Sequence, residues 1–349
     1  MLTLDSNIHA QPESLTRTLQ YQCGDGAAAI AHAAALLRSG RRIVITAMGA
    51  SLFASIPLQY SLCSMGLDAT AVEAGELLHY QNSAWKDAIV LMVSRSGESV
   101  EIAKLLERMK GIVPIIGVSN EPLSQLARSA DVSLSIASLK DEIVAIQTYT
   151  GTLLTLHLLA GAVAESSDTA AEEVRRLLPA FTSLVETSMH TLTDWDAFLT
   201  PNPTPYLLAR GPSLASAHEG ALLFHEVAKN PAIAMPIASF RHGPVEVVDA
   251  NFRGIVFVPQ DQTRDLNLSL ARDLVRFGGR ICLIGPAGPH MQNADWCSLP
   301  SASPTLAPIF EIVPLQAATF QFAILRGIEP GSFRYAPQVA VNEASFSQH

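Results

Sequence analysis

The sequence predicts a doubly wound α/β protein in which one strand-and-helix plan is used twice, and three observations carry that prediction. The first is the stretch Ile89 to Leu106, which changes character in its middle. Ile89 to Val93 is a continuous apolar run of the kind that forms strands buried on both faces. Ser94-Arg95-Ser96-Gly97-Glu98-Ser99 follows with no apolar residue, after which Ile102, Leu105, Leu106 and Met109 recur at helical spacing. The second is composition: of 349 residues 48 % are hydrophobic, 16 % charged and only 6 % aromatic. Small aliphatic residues dominate, as buried parallel strands covered by small-residue helices require. The third is an internal repeat in which matching segments are offset by roughly 165 positions throughout.

Taken in order, a polar N-terminal segment precedes an alanine-rich helix, Ala27 to Leu37, ended by Ser39-Gly40. Ile43 to Thr46 is a short strand, and Met48-Gly49-Ala50-Ser51 turns it into a helix, Leu52 to Met65. Ala69 to Glu73 is a strand, Glu76 to His79 begins a helical stretch, and the central strand starts at Ile89. Val113 to Val118, a helix over Leu123 to Ser129, and Val132 to Ile136 complete five strands with intervening helices. Glu142 to Ala164 reads as one long helix with Thr148, Gly151, Thr152 and Thr155 on a shared face. Helix Ala171 to Met189 bridges to the second half, and Pro201-Asn202-Pro203-Thr204-Pro205 marks a linker. The domains are accordingly placed at 1–190 and 191–349.

The plan then repeats. Tyr206 to Ala209 is a strand, and Arg210-Gly211-Pro212-Ser213 runs into a helix as Met48-Gly49-Ala50-Ser51 does. Ile255 to Val258 repeats the central strand, Ile281 to Gly285 repeats Ile115 to Val118, and Ala294-Asp295 repeats Ala130-Asp131. Where Ser94 to Ser99 stood, the second half has Pro259-Gln260-Asp261-Gln262-Thr263, with fewer hydroxyls and an added carboxylate. Only the first half is expected to hold a phosphate; the second is expected to be a structural partner that supplies other groups.

The net charge of −9, without a basic cluster, argues against general nucleic-acid binding. No apolar stretch of membrane-spanning length is free of polar residues, and the N-terminal residues lack the basic start and apolar core of a signal peptide, so a cytoplasmic protein is expected. Cys23, Cys63, Cys282 and Cys297 have no metal-ligand spacing and are expected to be reduced, largely buried thiols. No metal and no cofactor are implied.

Two stretches carry chemistry. At Ser94 to Ser99 the free N–H groups of a helix start meet three hydroxyls and the Arg95 guanidinium, a combination that suits a phosphate and that also describes an ordinary serine-rich helix start. Gly49 and Ser51 stand at a second junction of the same type. Between Ser216 and Asp249 the ionisable residues are densest. Glu219 and Glu226, seven apart on the helix Ala215 to Ala228, share one face, a pattern that a solvated helix surface would also show. Ser239 to Pro244 forms a short histidine loop around His242.

These residues together resemble the SIS (sugar isomerase) double-domain family, in particular the isomerase domain of glucosamine-6-phosphate synthase (glutamine–fructose-6-phosphate aminotransferase). The SxSGES loop resembles that family's phosphate-binding signature, and EGALLFHE (219–226) with RHGPVEVVD (241–249) resembles its EGALKLKE and KHGPLALID segments. The resemblance implies two tandem doubly wound, parallel-sheet (flavodoxin-like) SIS domains. It also implies a phosphosugar partner, with Gly49, Ser51, Ser94, Arg95, Ser96, Gly97 and Ser99 around the phosphate and Glu142, Thr148 and Glu219 beside the sugar. Carried over, Glu226 is the base that moves a proton between C1 and C2. His242 is the ring-opening group, brought from the neighbouring subunit of a homodimer. Long apolar segments, Ile143 to Ala164 and Ile309 to Leu325, give a separate reason to expect a second copy, which would cover them.

The departures bear on the reaction. Leu223 and Gln338 stand where the synthase has lysines, so no Schiff base is expected. Arg95 replaces a glutamine and Ala50 a threonine. The chain enters the sugar-binding half within about forty residues, so glutamine-derived ammonia is not expected in cis. An isomerase acting on a hexose 6-phosphate or an amino-hexose 6-phosphate is the expectation. A deglycase of phosphorylated sugar–amine adducts and a non-catalytic phosphosugar sensor are the alternatives.

Overall fold

Strands with no polar residue need cover on both faces, and the chain supplies it twice. The computed structural model describes residues 3–190, 193–200 and 203–335. Its first elements are α1 (Thr3–His9), α2 (Gln11–Cys23), α3 (Ala27–Leu37), β1 (Ile43–Ala47), α4 (Gly49–Ser64), β2 (Ala69–Glu73), α5 (Ala74–His79), β3 (Ile89–Val93), α6 (Val100–Met109), β4 (Ile115–Ser119), α7 (Gln125–Ser129), β5 (Val132–Ser135) and α8 (Gln147–Val163). They are followed by α9 (Ser167–His190), α10 (Thr193–Leu199), β6 (Tyr206–Ala209), α11 (Leu214–Glu226), β7 (Ile233–Pro236), α12 (Ile237–Arg241), β8 (Arg253–Phe257), α13 (Arg264–Arg276), β9 (Arg280–Gly285), β10 (Ala294–Ser298), α14 (Ala307–Glu311) and α15 (Val313–Leu325).

All pairings are parallel, in the orders β2-β1-β3-β4-β5 and β10-β9-β8-β6-β7. Matched strand for strand the two orders are the same, which is the duplication seen in the sequence. Two apolar clusters cover the first sheet: Ile45, Leu91 and Val118 point to one, and Val90, Met92 and Ile115 to the other, where α6 adds Ile102, Leu105, Leu106 and Met109. The register pairs Ile43 with Ile89 and Ala47 with Val93, so β1 and β3 end level and their loops leave the sheet side by side.

The compact units are Gln11–Arg175 and Arg176–Ser332, and α1 joins the second because it packs on α15. The division therefore falls inside α9, whereas the sequence suggested 190/191; two of the five residues of the linker proposed at 201–205 lie outside the described residues.

Three sequence expectations need correction. The polar N-terminal segment forms α1 and α2, and the buried face of α2 is itself largely polar: Ser14 Oγ meets Ser138 Oγ at 2.8 Å, and Gln22 Nε2 donates to Ser135 O at 2.6 Å. A hydrophobic period could not reveal that helix. The short edge strand β7, ending in Pro236, also went unread, because a half-buried edge needs little apolar signal. Finally, α8 starts at Gln147, not Glu142.

Asp141 explains that start. Its buried carboxylate accepts the N–H groups of Ile146 and Thr148 at 3.0 and 2.8 Å on one oxygen and that of Gln147 at 3.0 Å on the other, so it serves the first-turn amides of the helix. From there to Val163 every residue of α8 is buried, packed by α2, α3 and α4. Threonines are tolerated because their hydroxyls return to carbonyls four residues back: Thr152 to Thr148 at 2.7 Å and Thr155 to Gly151 at 2.9 Å. Gly151 is required by contact, since a Cβ there would lie 2.9 Å from Ile136 Cγ2.

The stretch Ala307–Leu325 is the one described segment long and apolar enough to cross a membrane, and 83 % of it is buried inside the protein. Both apolar segments expected to need a partner are thus covered within one chain along most of their length, with Ile143, Ile324 and Leu325 exposed at their ends, which weakens that reason for a second copy.

Removing the α8 start tests this account. Asp141→Ala strands several buried donors and is expected to cost about 2 to 4 kcal/mol, read as a lower urea midpoint, with Asp141→Asn retaining part of the loss-sensitive capping.

Candidate functional site

In a sheet of order 2-1-3-4-5 the connections from the two strands flanking the switch point diverge, leaving a crevice at their carboxyl ends. In the first unit those strands are β1 and β3, and the crevice loops are Met48–Ser51 and Ser94–Ser99. Gly49, at φ 48°, lets the chain turn directly from β1 into α4, whose start at Met48 has no side-chain cap. Ser51 is half-buried at this helix start.

The second loop is shaped by its own serines. Ser94 is buried; its N–H donates to Val118 O at 3.0 Å, its Oγ accepts from Gly97 N at 3.1 Å and lies 3.2 Å from Ser99 Oγ. Ser96 Oγ accepts from Glu98 N at 3.2 Å. Gly97 sits at φ 65°, and a Cβ there would stand 2.2 Å from Ser124 Oγ, so both conformation and space demand glycine. Ser99 begins α6 without a side-chain cap, which leaves the first-turn amides of a helix facing the crevice with hydroxyls around them. Glu98 turns away: its Oε1 accepts from Gln125 N, at the start of α7, at 2.7 Å.

Arg95 reaches the segment before α8, donating from Nη1 to Ile143 O at 3.2 Å. That bond brings the loop and Glu142 into one neighbourhood; Glu142 is exposed in a bend, not on a helix. Thr148 is less available, because its hydroxyl donates to Asp141 Oδ2 at 2.5 Å. The structure therefore gathers 48–51, 94–99 and 141–148 at one edge of the first unit. Gln338 lies outside the described residues.

In the second unit α11 carries Glu219, which is buried, and Glu226, which is half-buried at the helix end. Glu219 is thus no part of a solvated helix surface. The turn after Glu226 is held by Lys229, which has φ 53° and whose ammonium donates to the Glu226 carbonyl, and by Ala232 N donating to His225 Nε2 at 3.2 Å. His242 is exposed at the end of α12, so the histidine loop is largely a helical turn; its N–H donates to Ser239 O at 3.1 Å. Beside Glu219, burial lowers the pKa of His218. Among the described residues no group of three or more His, Cys, Asp or Glu is placed to hold a metal ion.

A family model described as the SIS domain matches residues 36–162 and again 199–326. The chain belongs to the SIS domain family. Among curated relatives it is 29 % identical over 331 residues to the glutamine–fructose-6-phosphate aminotransferase (isomerizing) of Pyrobaculum aerophilum, covering 93 % of this chain and 54 % of that protein. The corresponding protein of Pyrococcus horikoshii is 28 % identical over 306 residues, covering 85 % of this chain and 51 % of that protein. The chain thus spans about half the length of the curated relatives it matches. Among solved structures the C-terminal domain of glucosamine–fructose-6-phosphate aminotransferase from Francisella tularensis has a TM-score of 0.82 at 23 % identity, covering 94 % of this chain and 96 % of that one. Tagatose-6-phosphate ketose/aldose isomerase from Escherichia coli has a TM-score of 0.80 at 20 % identity, covering 94 % of each chain. These structural likenesses establish the fold: two tandem α/β SIS domains.

The SIS chain also contains a buried acid that sequence reading passed over. Glu311, at the end of α14, is 1 % exposed, and burial raises its pKa to about 7 while hydrogen bonds from Ser216 and Ser213 oppose the rise and nearby Asp261 adds to it. The signal was present: Glu311 is the lone carboxylate in an apolar stretch from Ala307 to Leu325. The cysteines also differ from expectation. Cys23 and Cys63 are exposed, whereas burial raises Cys282 and pushes Cys297 up to about 12; all four are free thiols.

Glu311 leaves a signature in stability. Its ordinary value is 4.5 and its folded value about 7. The folded state therefore holds a proton that the unfolded state has lost between those two values, and stability falls as pH rises through that window. The full loss is about 3 kcal/mol. Glu311→Gln is expected to flatten the fall, seen by comparing urea midpoints at pH 5 and pH 8 for both proteins.

Proposed function

We propose that the chain is a cytoplasmic phosphosugar isomerase acting on a hexose 6-phosphate or an amino-hexose 6-phosphate. What carries the reading is the switch-point crevice of the first unit, where the uncapped start of α6, the Ser94, Ser96 and Ser99 hydroxyls, Gly97 and the nearby Gly49–Ser51 turn converge. Helix-start amides and hydroxyls in that number suit a phosphate dianion, and Arg95 adds charge. The aldose–ketose step needs only a base that takes a proton from C2 of the open-chain sugar and returns it to C1, while the O2 hydroxyl gives up its proton and the O1 carbonyl oxygen gains one. Glu226 is the base, and His242 opens the ring by moving a proton between the hydroxyl and the ring oxygen. Neither step needs a metal or cofactor. We further propose a homodimer in which His242 of one chain serves the Glu226 of the other.

Leu223 favours a reaction without a lysine. It is buried on α11 where the synthase has its lysine, so isomerisation, or release of an amine from a phosphorylated sugar–amine adduct, fits better than transfer through a Schiff base.

A phosphosugar panel read by thermal shift, followed by deuterium exchange at C2 of the best binder, tests the reading. Glu226→Gln is expected to slow that exchange by about 100- to 10,000-fold with binding retained. Tight binding with no exchange in the unmodified protein would overturn catalysis in favour of a sensor. Ser96→Ala with Ser99→Ala is expected to weaken binding by about 2 to 4 kcal/mol, measured by calorimetry. Unchanged affinity in the folded double variant would remove the loop from the site.

A further inference from the structure

The turn leaving β6 is built like the turn leaving β1. Gly49 and Gly211 adopt the same left-handed conformation, φ 48° and 54°, and two residues later a serine stands at the helix start: Ser51 in one unit, Ser213 in the other. What the two hydroxyls meet is different. The Ser51 hydroxyl has no hydrogen-bond partner among the described residues, its N–H and carbonyl being used within α4, whereas Ser213 Oγ donates to Glu311 Oε1 at 2.7 Å. Ser216, at the next turn of α11, donates to Glu311 Oε2 at 2.6 Å. Both serines and the carboxylate are buried. Although Ser213 is the cap residue of α11, it makes no bond to that helix's own amides, because its hydroxyl is spent on Glu311.

The second crevice loop agrees. Asp261 occupies the region that Ser94 to Ser99 occupy in the first unit, and its Oδ1 is held by Thr263 N and Oγ1 at 2.7 and 2.8 Å. It faces the surroundings of Glu311 with a second negative charge, which would repel an entering phosphate. Glu311 arrives from α14, just before α15, where the first unit has no helix and, at the matching place before α8, the apolar Ala145 and Ile146; it sets two oxygens against two hydroxyls at a helix start, as a phosphate would.

Building on the phosphate reading of the first unit, we propose that Glu311 is an internal ligand. Its carboxylate occupies the second unit's counterpart of the phosphate pocket, so the chain takes one phosphosugar rather than two. With Glu311 truncated and Asp261 neutralised, Ser213 and Ser216 at the start of α11 are left to take a free oxyanion of the phosphate type.

Inorganic phosphate is the probe, counted by calorimetry on four full-length proteins. The unmodified chain is expected to bind one phosphate, Ser96→Ala/Ser99→Ala none, Glu311→Ala/Asp261→Ser two, and the quadruple variant one. No binding to the unmodified chain would overturn the first-unit reading and leave the quadruple variant to judge this one alone. One site in folded Glu311→Ala/Asp261→Ser, or none in the quadruple variant, would overturn the internal-ligand assignment. If truncation weakens the fold, melting decides instead. Added phosphate is expected to raise the Tm of Glu311→Ala by more than that of Glu311→Gln, whose amide still fills the pocket, and equal shifts would overturn the proposal.

Discussion

Parallel pairing of β1 with β3, covered on both faces, is the constraint on which the first unit depends. A parallel strand cannot return by a tight turn, so each must leave at the same edge and come back through a helix. Because Ala47 and Val93 end level in the register, the two departures lie side by side, and the helices that follow begin there too. Backbone amides without helical partners are therefore concentrated at one edge before any side chain is chosen. Serines, and glycines where φ is positive, then line a place already favourable to an anion.

The second unit inherits the same edge and uses it differently. Glu311 fills with a side chain what the first unit leaves to loop hydroxyls and amides. The cost of burying a carboxylate is visible in its raised pKa, and two short serine bonds with a helix start offset it in part. Asp141 solves a similar problem in the first unit in a different manner: with several backbone donors and the Thr148 hydroxyl around it, it fixes where α8 begins. Asp141 and Glu311 thus each occupy a helix start, apart from any role in proton transfer.

The strands of the first half, the duplication and the serine loop were legible in the sequence, because each rests on sequence pattern: apolar runs for strands, helical spacing after a polar loop, and a constant offset between halves. The strands Ile43–Ala47, Ile89–Val93 and Ile115–Ser119 are buried along their whole length, so their composition announces them. Helix α2 announces little, because its buried face is mostly glutamine, serine and threonine, with Ser14 and Gln22 held by hydrogen bonds to distant residues. Glu142 was read as helical for the complementary reason: the apolar period continues upstream of Gln147, and only the carboxylate of Asp141, folded back on the amides, shows where the helix starts.

By itself the sequence determined the fold class, the repeat, the family resemblance and the two polar loops that follow β1 and β3. Only the tertiary structure decided what each acid does. Whether a carboxylate faces water, caps a helix or enters a pocket depends on partners far away in the chain, as Glu311 depends on Ser213 and Ser216 across 98 and 95 positions. Such pairings arise from packing between elements, which no local periodicity encodes.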